Sequence, residues 1–211
     1  MKEIKDMKKM FLLGDSISMH YGPFLTSFLS GEYEIYSRPG REQALKQIDR
    51  AIGGNGGDST RVLNYIKELE QKGELNYDLV VFNCGLHDIK RKIPEENYQV
   101  PIELYEQNLE DVYQILLGRN IETMFINTTP VDEERHCTEI PAGIKRYNAD
   151  VRTYNDVAER IAKKYQIPVI DLYGLTKNIT EPKYHDYAHF NMETRKIQAA
   201  FIAGSISLRV G

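Results

Sequence analysis

Short apolar segments recur along the chain, and longer stretches with a helical pattern separate them. Five segments have the length and composition of buried strands, at residues 10–14, 33–37, 78–85, 122–129 and 168–173. Between and after them, apolar residues repeat at steps of three and four and indicate helices over residues 63–73, 104–120, 148–166 and 194–208. Strands that alternate with helices predict βαβ units and a parallel sheet with helices on both faces.

Functional residues of such a sheet collect in the loops at the carboxyl ends of its strands. In this chain those loops follow Leu13, Ser37, Cys84, Asn127 and Tyr173. The long stretch 129–146, which contains two prolines and a glycine, has the length of a binding loop or a lid.

The composition is that of an ordinary globular protein, and we expect one domain over residues 1–211. The net charge of −4 gives no indication of a nucleic-acid or anionic-membrane partner. No apolar run approaches the roughly 20 residues that span a bilayer. The apolar stretch MFLL after the first lysines is shorter than the about 7–15 residues of a signal-peptide core. Two cysteines are typical of reduced thiols, so a cytoplasmic location is expected.

Two loops carry small polar residues and glycines. After the first strand, GDSIS places Ser16 where a helix or loop begins, as a reactive hydroxyl or as a helix N-cap. Later, GGNGGDS at 53–59 has four glycines, which let backbone N–H groups approach an anion; a flexible turn followed by a helix cap explains the same residues. This run is neither a Walker loop nor a dinucleotide motif.

The third and fifth strands are followed by histidines. Gly85-Leu86-His87-Asp88 follows the third strand, where His87 has the chemistry of a base, a metal ligand or a hydrogen-bond donor, or is a solvated loop residue. Near the C-terminus, Asp186 and His189 are three apart, a spacing at which two side chains can meet. A carboxylate there can fix the histidine tautomer and leave Nε2 as a base, unless the segment is only a polar loop.

A serine, an oriented base and two sets of donors at one sheet edge are the groups that acyl transfer through a serine requires. In sequence order these motifs resemble those of the SGNH hydrolases, the GDSL-type esterase/lipase family, almost end to end. The resemblance implies a three-layer α/β/α sandwich with a five-stranded parallel sheet of flavodoxin-like topology. It gives Ser16 the role of nucleophile, Asp186-x-x-His189 the role of orienting acid and base, and the amides of Ser16 and Gly57 the role of oxyanion donors.

The chain departs from the family at one position, because His87 stands where the family usually has an oxyanion-binding asparagine. Either protonation state of histidine offers an N–H, so His87 is predicted to be the third oxyanion donor. Asp15, Asp88 and Asn127 are expected to support the loops. The implied substrate is a small-molecule carboxylic ester, of a short acyl or acetyl group and with carbohydrate esters among the candidates, and no cofactor or metal is expected.

Two other functions remain open at this level. His185 and His189 have the i, i+4 spacing of zinc-binding helices, so a metal-dependent hydrolase is one alternative, with His20, His87, Asp15 and Asp186 as further ligands. The other is a catalytically degenerate protein that binds a ligand without cleaving it. The oligomeric state is not predicted.

Overall fold

The computed structural model describes residues 7–48, 50–92, 94, 96–138, 144–180 and 182–208. In chain order its strands are β1 (Lys8–Leu13), β2 (Tyr33–Ser37), β3 (Leu79–Phe82), β4 (Arg91–Lys92), β5 (Glu122–Ile126), β6 (Ile144–Lys145) and β7 (Val169–Ile170). Five of them form a parallel sheet in the order β2-β1-β3-β5-β7. Counted within this sheet, the order is that of the flavodoxin-like folds, so the predicted fold class is confirmed.

Helices surround the sheet on both faces. They are α1 (Ser16–Phe28), α2 (Arg41–Leu45), α3 (Ser59–Lys72), α4 (Ile102–Gly118), α5 (Glu133–Thr138), α6 (Asn148–Lys164), α7 (Leu172–Asn178) and α8 (Met192–Ser207). Helix α1 packs against α8, while α3 packs against α4 and α4 against α6. These two groups form the outer layers of the sandwich.

The central strand β3 is apolar along its whole length because both of its faces are covered. All four residues of β3, the sequence LVVF, are buried. Phe82 at its end meets the rings of Phe125 on β5 and Tyr113 on α4 edge-on, with ring centroids 5.2 and 5.6 Å apart. The core thus extends from the middle of the sheet into the α3–α4–α6 layer, and it fixes the strand ends from which the functional loops emerge.

All five predicted strands are present, but smaller elements had no sequence signal. The stretch 129–146, predicted as one loop, contains α5 and β6, and β6 pairs antiparallel with β4. Residues 139–143 of this stretch lie outside the described part of the chain. The ribbon of β4 and β6 joins the loop after β3 to the segment before α6.

Within the described residues, no helix has both the length and the apolar content required to cross a bilayer.

Candidate active site

Three predicted residues form a continuous chain of hydrogen bonds above the carboxyl ends of the strands. His189 Nε2 lies 2.9 Å from Ser16 Oγ. On the other side of the ring, His189 Nδ1 lies 2.8 Å from Asp186 Oδ2 and 3.0 Å from Asp186 Oδ1. An ionised carboxylate only accepts hydrogen bonds, so Nδ1 carries the proton and Nε2 is left to accept from the Ser16 hydroxyl.

Ser16 is the first residue of α1, and Asp15 fixes its position. The Asp15 carboxylate caps the helix by accepting from the Ile17 N–H at 2.9 Å, and its carbonyl accepts from Ser18 Oγ at 2.7 Å. Burial raises the pKa of the Asp15 carboxyl, against the opposing effects of the Ile17 amide and the charge of His189. The predicted N-cap is therefore real but belongs to Asp15, which leaves the Ser16 hydroxyl available to His189.

Asp186 and His189 are held by a tight turn before α8. The Asp186 carboxylate accepts from the backbone N–H groups of Ala188 and His189 at 2.9 and 2.7 Å. Burial of Asp186 opposes its ionisation, but the hydrogen bond and charge of His189, together with these two amides, hold its pKa well below the usual range. Asp186 is thus an anion aimed at Nδ1 of His189.

His20 of α1 packs its ring edge against His189, with centroids 5.1 Å apart and planes at 72°. Burial, followed by the charges of Arg195 and His189, lowers the pKa of His20 to about 3. His20 is therefore a neutral neighbour of the His189 ring, and its contact restricts how that ring can turn.

The i, i+4 pair His185 and His189 does not have the arrangement of two metal ligands. Both ring nitrogens of His189 are engaged by Asp186 and Ser16, and the backbone N–H of His185 donates to the His189 carbonyl at 2.8 Å. Over the described ranges of the chain, no three His, Cys, Asp or Glu side chains form a cluster that could hold a metal ion.

The glycine-rich loop lies against the turn that carries Ser16. The Gly56 N–H donates to the Gly14 carbonyl at 2.8 Å, and the Gly57 N–H donates to Asn55 Oδ1 at 2.9 Å. Gly57 has φ of +74°, and a Cβ there would come within 2.7 Å of the Ala51 Cβ, so only glycine fits. The amide predicted to bind an oxyanion is thus already partnered by Asn55, a residue to which the sequence analysis gave no role.

His87 is buried, at 2% exposure, in the loop after β3. Its Nδ1 lies 2.8 Å from Nζ of Lys90, which is also buried. Burial, and then the positive charges of Lys90 and Arg146, lower the pKa of His87 well below its ordinary value. His87 is therefore a neutral imidazole with one N–H, and of the two protonation states considered from the sequence only this one fits.

Gly85 lets this loop pass close to the loop after β5. Its φ is +139°, and a Cβ would overlap the Thr128 hydroxyl. The same hydroxyl donates to the Cys84 carbonyl at 3.1 Å. A side chain at position 85 would push the two loops apart and displace His87.

The predicted supporting residues tie neighbouring elements together. Asp88 is fully buried and accepts from the Ser59 N–H of α3 at 2.9 Å, and its own carbonyl accepts from the Val100 N–H at 3.1 Å. Asn127 joins β5 to α7, since it donates to Asp171 Oδ1 at 2.8 Å and accepts from the Tyr173 N–H at 2.7 Å. Both side chains act on the loops and neither is bonded to Ser16 or His189.

The segment that contains α5 and β6 belongs to the stretch 129–146, predicted as a binding loop or a lid, and its contacts with the site had no sequence signal. Arg146, directly after β6, is buried; its Nε donates to the Leu86 carbonyl at 2.6 Å and its Nη1 lies 2.9 Å from His136 Nε2. The His136 ring packs against Tyr187 at 4.9 Å, within the turn of Asp186 and His189. This segment therefore joins the loops that carry His87 and His189.

A cavity of about 140 Å³ opens beside α1, between that helix and β2. Its floor is apolar and includes Leu12, Met19 and Ile35, and its rim includes Arg38 and Arg41. It also touches Gly14 and Ser18, two residues before and two residues after Ser16, while Ser16, His189 and Asp186 are not among its lining residues.

Comparison with known proteins bears on this arrangement. Residues 12–197 match the model of the GDSL-like Lipase/Acylhydrolase family. One similar solved structure is a lipase/acylhydrolase from Enterococcus faecalis, with 19% identity, a TM-score of 0.68 and coverage of 96% of this chain and 97% of that chain. Another is a GDSL-like lipase from Bacteroides thetaiotaomicron, with 20% identity, a TM-score of 0.68 and coverage of 96% and 89%.

An acetyl xylan esterase is also similar in structure, with 17% identity, a TM-score of 0.67 and coverage of 94% of this chain and 99% of that chain. Comparison with the curated proteins gave no match. At these identities the structural likeness establishes the fold, and the family match covers most of the chain.

Proposed function

The chain belongs to the GDSL-like lipase/acylhydrolase family and is an ester-bond hydrolase, and we propose that it works through Ser16 as a covalent nucleophile. The observation that carries the proposal is the chain of hydrogen bonds from Ser16 Oγ through His189 to Asp186, with distances of 2.9 and 2.8 Å. This is the arrangement that a weak hydroxyl nucleophile needs, namely a base within hydrogen-bond reach and a third group that orients the base.

The first half of the reaction acylates Ser16. His189 Nε2 takes the hydroxyl proton as Oγ bonds to the ester carbonyl carbon, and the carbonyl electron pair moves onto oxygen. Asp186 stabilises the imidazolium that forms. The tetrahedral intermediate then collapses, the bond to the alcohol oxygen breaks, and the alcohol leaves with the proton from His189.

The second half returns the enzyme to its starting state. Water gives a proton to His189 Nε2 as its oxygen attacks the acyl carbon, and the acid leaves while Ser16 Oγ recovers the proton. All proton transfers use one ring nitrogen, so the His189 ring does not need to turn between the two halves. The contact with His20 at 5.1 Å supports such a fixed ring.

Three groups are proposed as donors to the oxyanion, namely the amides of Ser16 and Gly57 and the side chain of His87. The Gly57 amide is bonded to Asn55 at 2.9 Å, so it contributes only by sharing its hydrogen with the substrate oxygen. His87 is the one side chain among the three proposed donors, and it gains weight in the proposal because the Gly57 amide is shared with Asn55. Oxyanion donors act most strongly when they are fixed in a site without water, and the burial of His87 meets that condition.

The proposed substrate is an ester of a short acyl group, with acetylated carbohydrate as the leading candidate. The cavity of about 140 Å³ beside α1 supports a small acyl group rather than a long chain. The structural similarity to an acetyl xylan esterase supports acetyl esters of sugars. A cytoplasmic location is proposed from the chain's two cysteines, of which Cys84 is a buried free thiol.

Hydrolysis of p-nitrophenyl esters tests the proposal. The wild-type protein should cleave the acetate ester faster than the octanoate ester, and Ser16→Ala should abolish cleavage. Ser27→Ala, which removes an exposed serine from the same helix, is the matched control and should retain full activity. A Ser16→Ala protein that keeps its rate, or a wild-type protein that a chelator inactivates, would contradict the proposal; a protein that binds esters without cleaving them would indicate the degenerate alternative.

A further inference from the structure

His87 and Lys90 occupy one turn, and the rest of the loop fixes both. The Ile89 N–H donates to the Gly85 carbonyl at 3.0 Å, which closes the turn. The Lys90 carbonyl accepts from the Gln99 N–H at 2.7 Å, so the backbone that carries the lysine is itself anchored. The Nζ–Nδ1 distance of 2.8 Å is therefore a contact between two positioned side chains.

The chemistry of this contact decides where the imidazole proton lies. A lysine ammonium has three N–H donors and no acceptor, whereas a neutral imidazole has one donor nitrogen and one acceptor nitrogen. Nδ1 faces the ammonium and must be the acceptor, so the single N–H of His87 is on Nε2. Both side chains are buried, at 2% and 8% exposure, so water does not compete for this bond.

We infer that Lys90 is a positioning residue, which acts through His87 by holding its ring and keeping its proton on Nε2. The inference rests on the proposed function, in which Nε2–H faces the oxyanion. With the opposite tautomer, Nε2 would direct a lone pair at the developing negative charge and would oppose the reaction. With its ring held by Lys90, His87 donates from Nε2–H in one fixed direction, toward the oxyanion.

The resting protein provides the first test, through the ring nitrogens of its five histidines. Long-range ¹H–¹⁵N correlation spectra of protein labelled with ¹⁵N-histidine distinguish a protonated nitrogen from a bare one, and a His87→Asn spectrum assigns the signal. We expect Nδ1 of His87 to be bare and Nε2 protonated from pH 6 to pH 8. A proton on Nδ1 in the wild-type spectrum would overturn the inference without any use of an activity measurement.

Variants provide the second test. Lys90→Met should lower kcat for p-nitrophenyl acetate by at least about tenfold and leave KM little changed. The loss should be smaller than the factor of about 10²–10³ expected when an oxyanion donor is removed. Lys90→Arg should retain the Nε2–H tautomer of His87, because an arginine side chain also has N–H donors and no acceptor atom. Lys92→Met, which removes an exposed lysine two residues away, should match the wild type.

The decisive comparison repeats Lys90→Met in a His87→Ala background. A positioning residue that acts through His87 has nothing to position there, so kcat should fall no further. An equal loss in both backgrounds would show that Lys90 only supports the fold, and the inference would be wrong. Failure of the proposed function is a separate result, since it would appear as activity in Ser16→Ala whatever the tautomer of His87.

Discussion

Ser16 and His189 are 173 positions apart in the sequence, yet their side chains are 2.9 Å apart. Each is oriented by a local device, the Asp15 cap for the serine and the Asp186 turn for the histidine. The fold therefore has to bring together only two loops whose side chains are already oriented by local contacts. At the residue scale, then, the geometry of the candidate active site depends on few side chains, and substitutions of these test the account.

Replacing His87 tests its proposed role as an oxyanion donor. His87→Ala should lower kcat by about 10²–10³, or about 2.7–4 kcal/mol in transition-state stabilisation, because a fixed donor is lost. His87→Asn should retain more activity because the amide again offers an N–H. The measurement is steady-state kinetics on p-nitrophenyl acetate, and wild-type rates in both variants would rule out the oxyanion role.

Replacing Asp186 tests the orienting carboxylate. Asp186→Asn removes the anion that fixes the His189 tautomer and stabilises its imidazolium, so kcat should fall by about 10³–10⁴. KM should change little, because Asp186 has no proposed contact with substrate. If this variant kept within about tenfold of the wild-type kcat, His189 would not be the base that the proposal requires.

The sequence pointed to the residues of the proposed catalytic chain more readily than to the residues that hold them. Ser16, Asp186 and His189 stand in short motifs whose spacing alone suggests chemistry. Asn55 lies in the glycine-rich run and Arg146 ends the stretch 129–146, but nothing in either pattern assigns Asn55 to the Gly57 amide or Arg146 to a carbonyl 60 positions away. Lys90 did carry a signal, because it follows His87 by three residues, the spacing that brings side chains together in a turn.

At the scale of elements, helix N-termini hold the loops of the site in place. Asp58 caps α3, directly after the glycine-rich loop, by accepting from the Arg61 N–H at 3.0 Å, and its second oxygen accepts from Gln99 Nε2 at 2.5 Å. The cap therefore connects the glycine-rich loop to the segment that also anchors Lys90. Loss of this cap should lower the free energy of unfolding and leave the catalytic rate unchanged.

Asp58→Ala should lower the free energy of unfolding by about 1 kcal/mol, within the range of about 0.5–2 for a lost N-cap. Asp58→Ser, which retains a capping oxygen, should recover most of the difference. Urea denaturation followed by circular dichroism measures both. An alanine variant as stable as the wild type would mean that the cap hydrogen bond does not contribute to the free energy of unfolding.

Element prediction succeeded where burial imposes a long pattern and failed where it does not. The run LVVF of β3 is apolar because helices cover both faces of the sheet, and this pattern is visible in sequence. The ribbon of β4 and β6 has two residues in each strand, too few for any period. Likewise α5 has six residues, about one and a half turns, and its amphipathic pattern cannot be seen in so short a stretch.

At the scale of the whole molecule, the buried carboxyl of Asp88 links stability to pH. Burial raises the pKa of Asp88 to about 7, against the hydrogen bonds it accepts from Ser59. In an unfolded chain an aspartate has a pKa of about 3.9. Between these two values the folded state binds more protons than the unfolded state, so stability falls as pH rises.

The contribution of neutral Asp88 should therefore be complete below about pH 4 and lost as pH rises through about 7. Asp88→Asn keeps an acceptor for the Ser59 amide but cannot ionise, so its free energy of unfolding should decline less between pH 5 and pH 8. Urea titrations at several pH values measure this slope. Parallel pH profiles for the wild type and the variant would contradict the burial argument. The lowered pKa of Asp186 has the opposite effect on stability. Its contribution is complete above about pH 4 and is lost as pH falls below that value.

The central claim is that Ser16 is the nucleophile, and covalent labelling tests it most directly. A fluorophosphonate reacts with a serine that an adjacent base activates, and peptide mass spectrometry locates the adduct. We predict one adduct, on Ser16, absent from Ser16→Ala and strongly reduced in Asp186→Asn. An adduct on another residue, or none in a protein that still hydrolyses esters, would contradict the account.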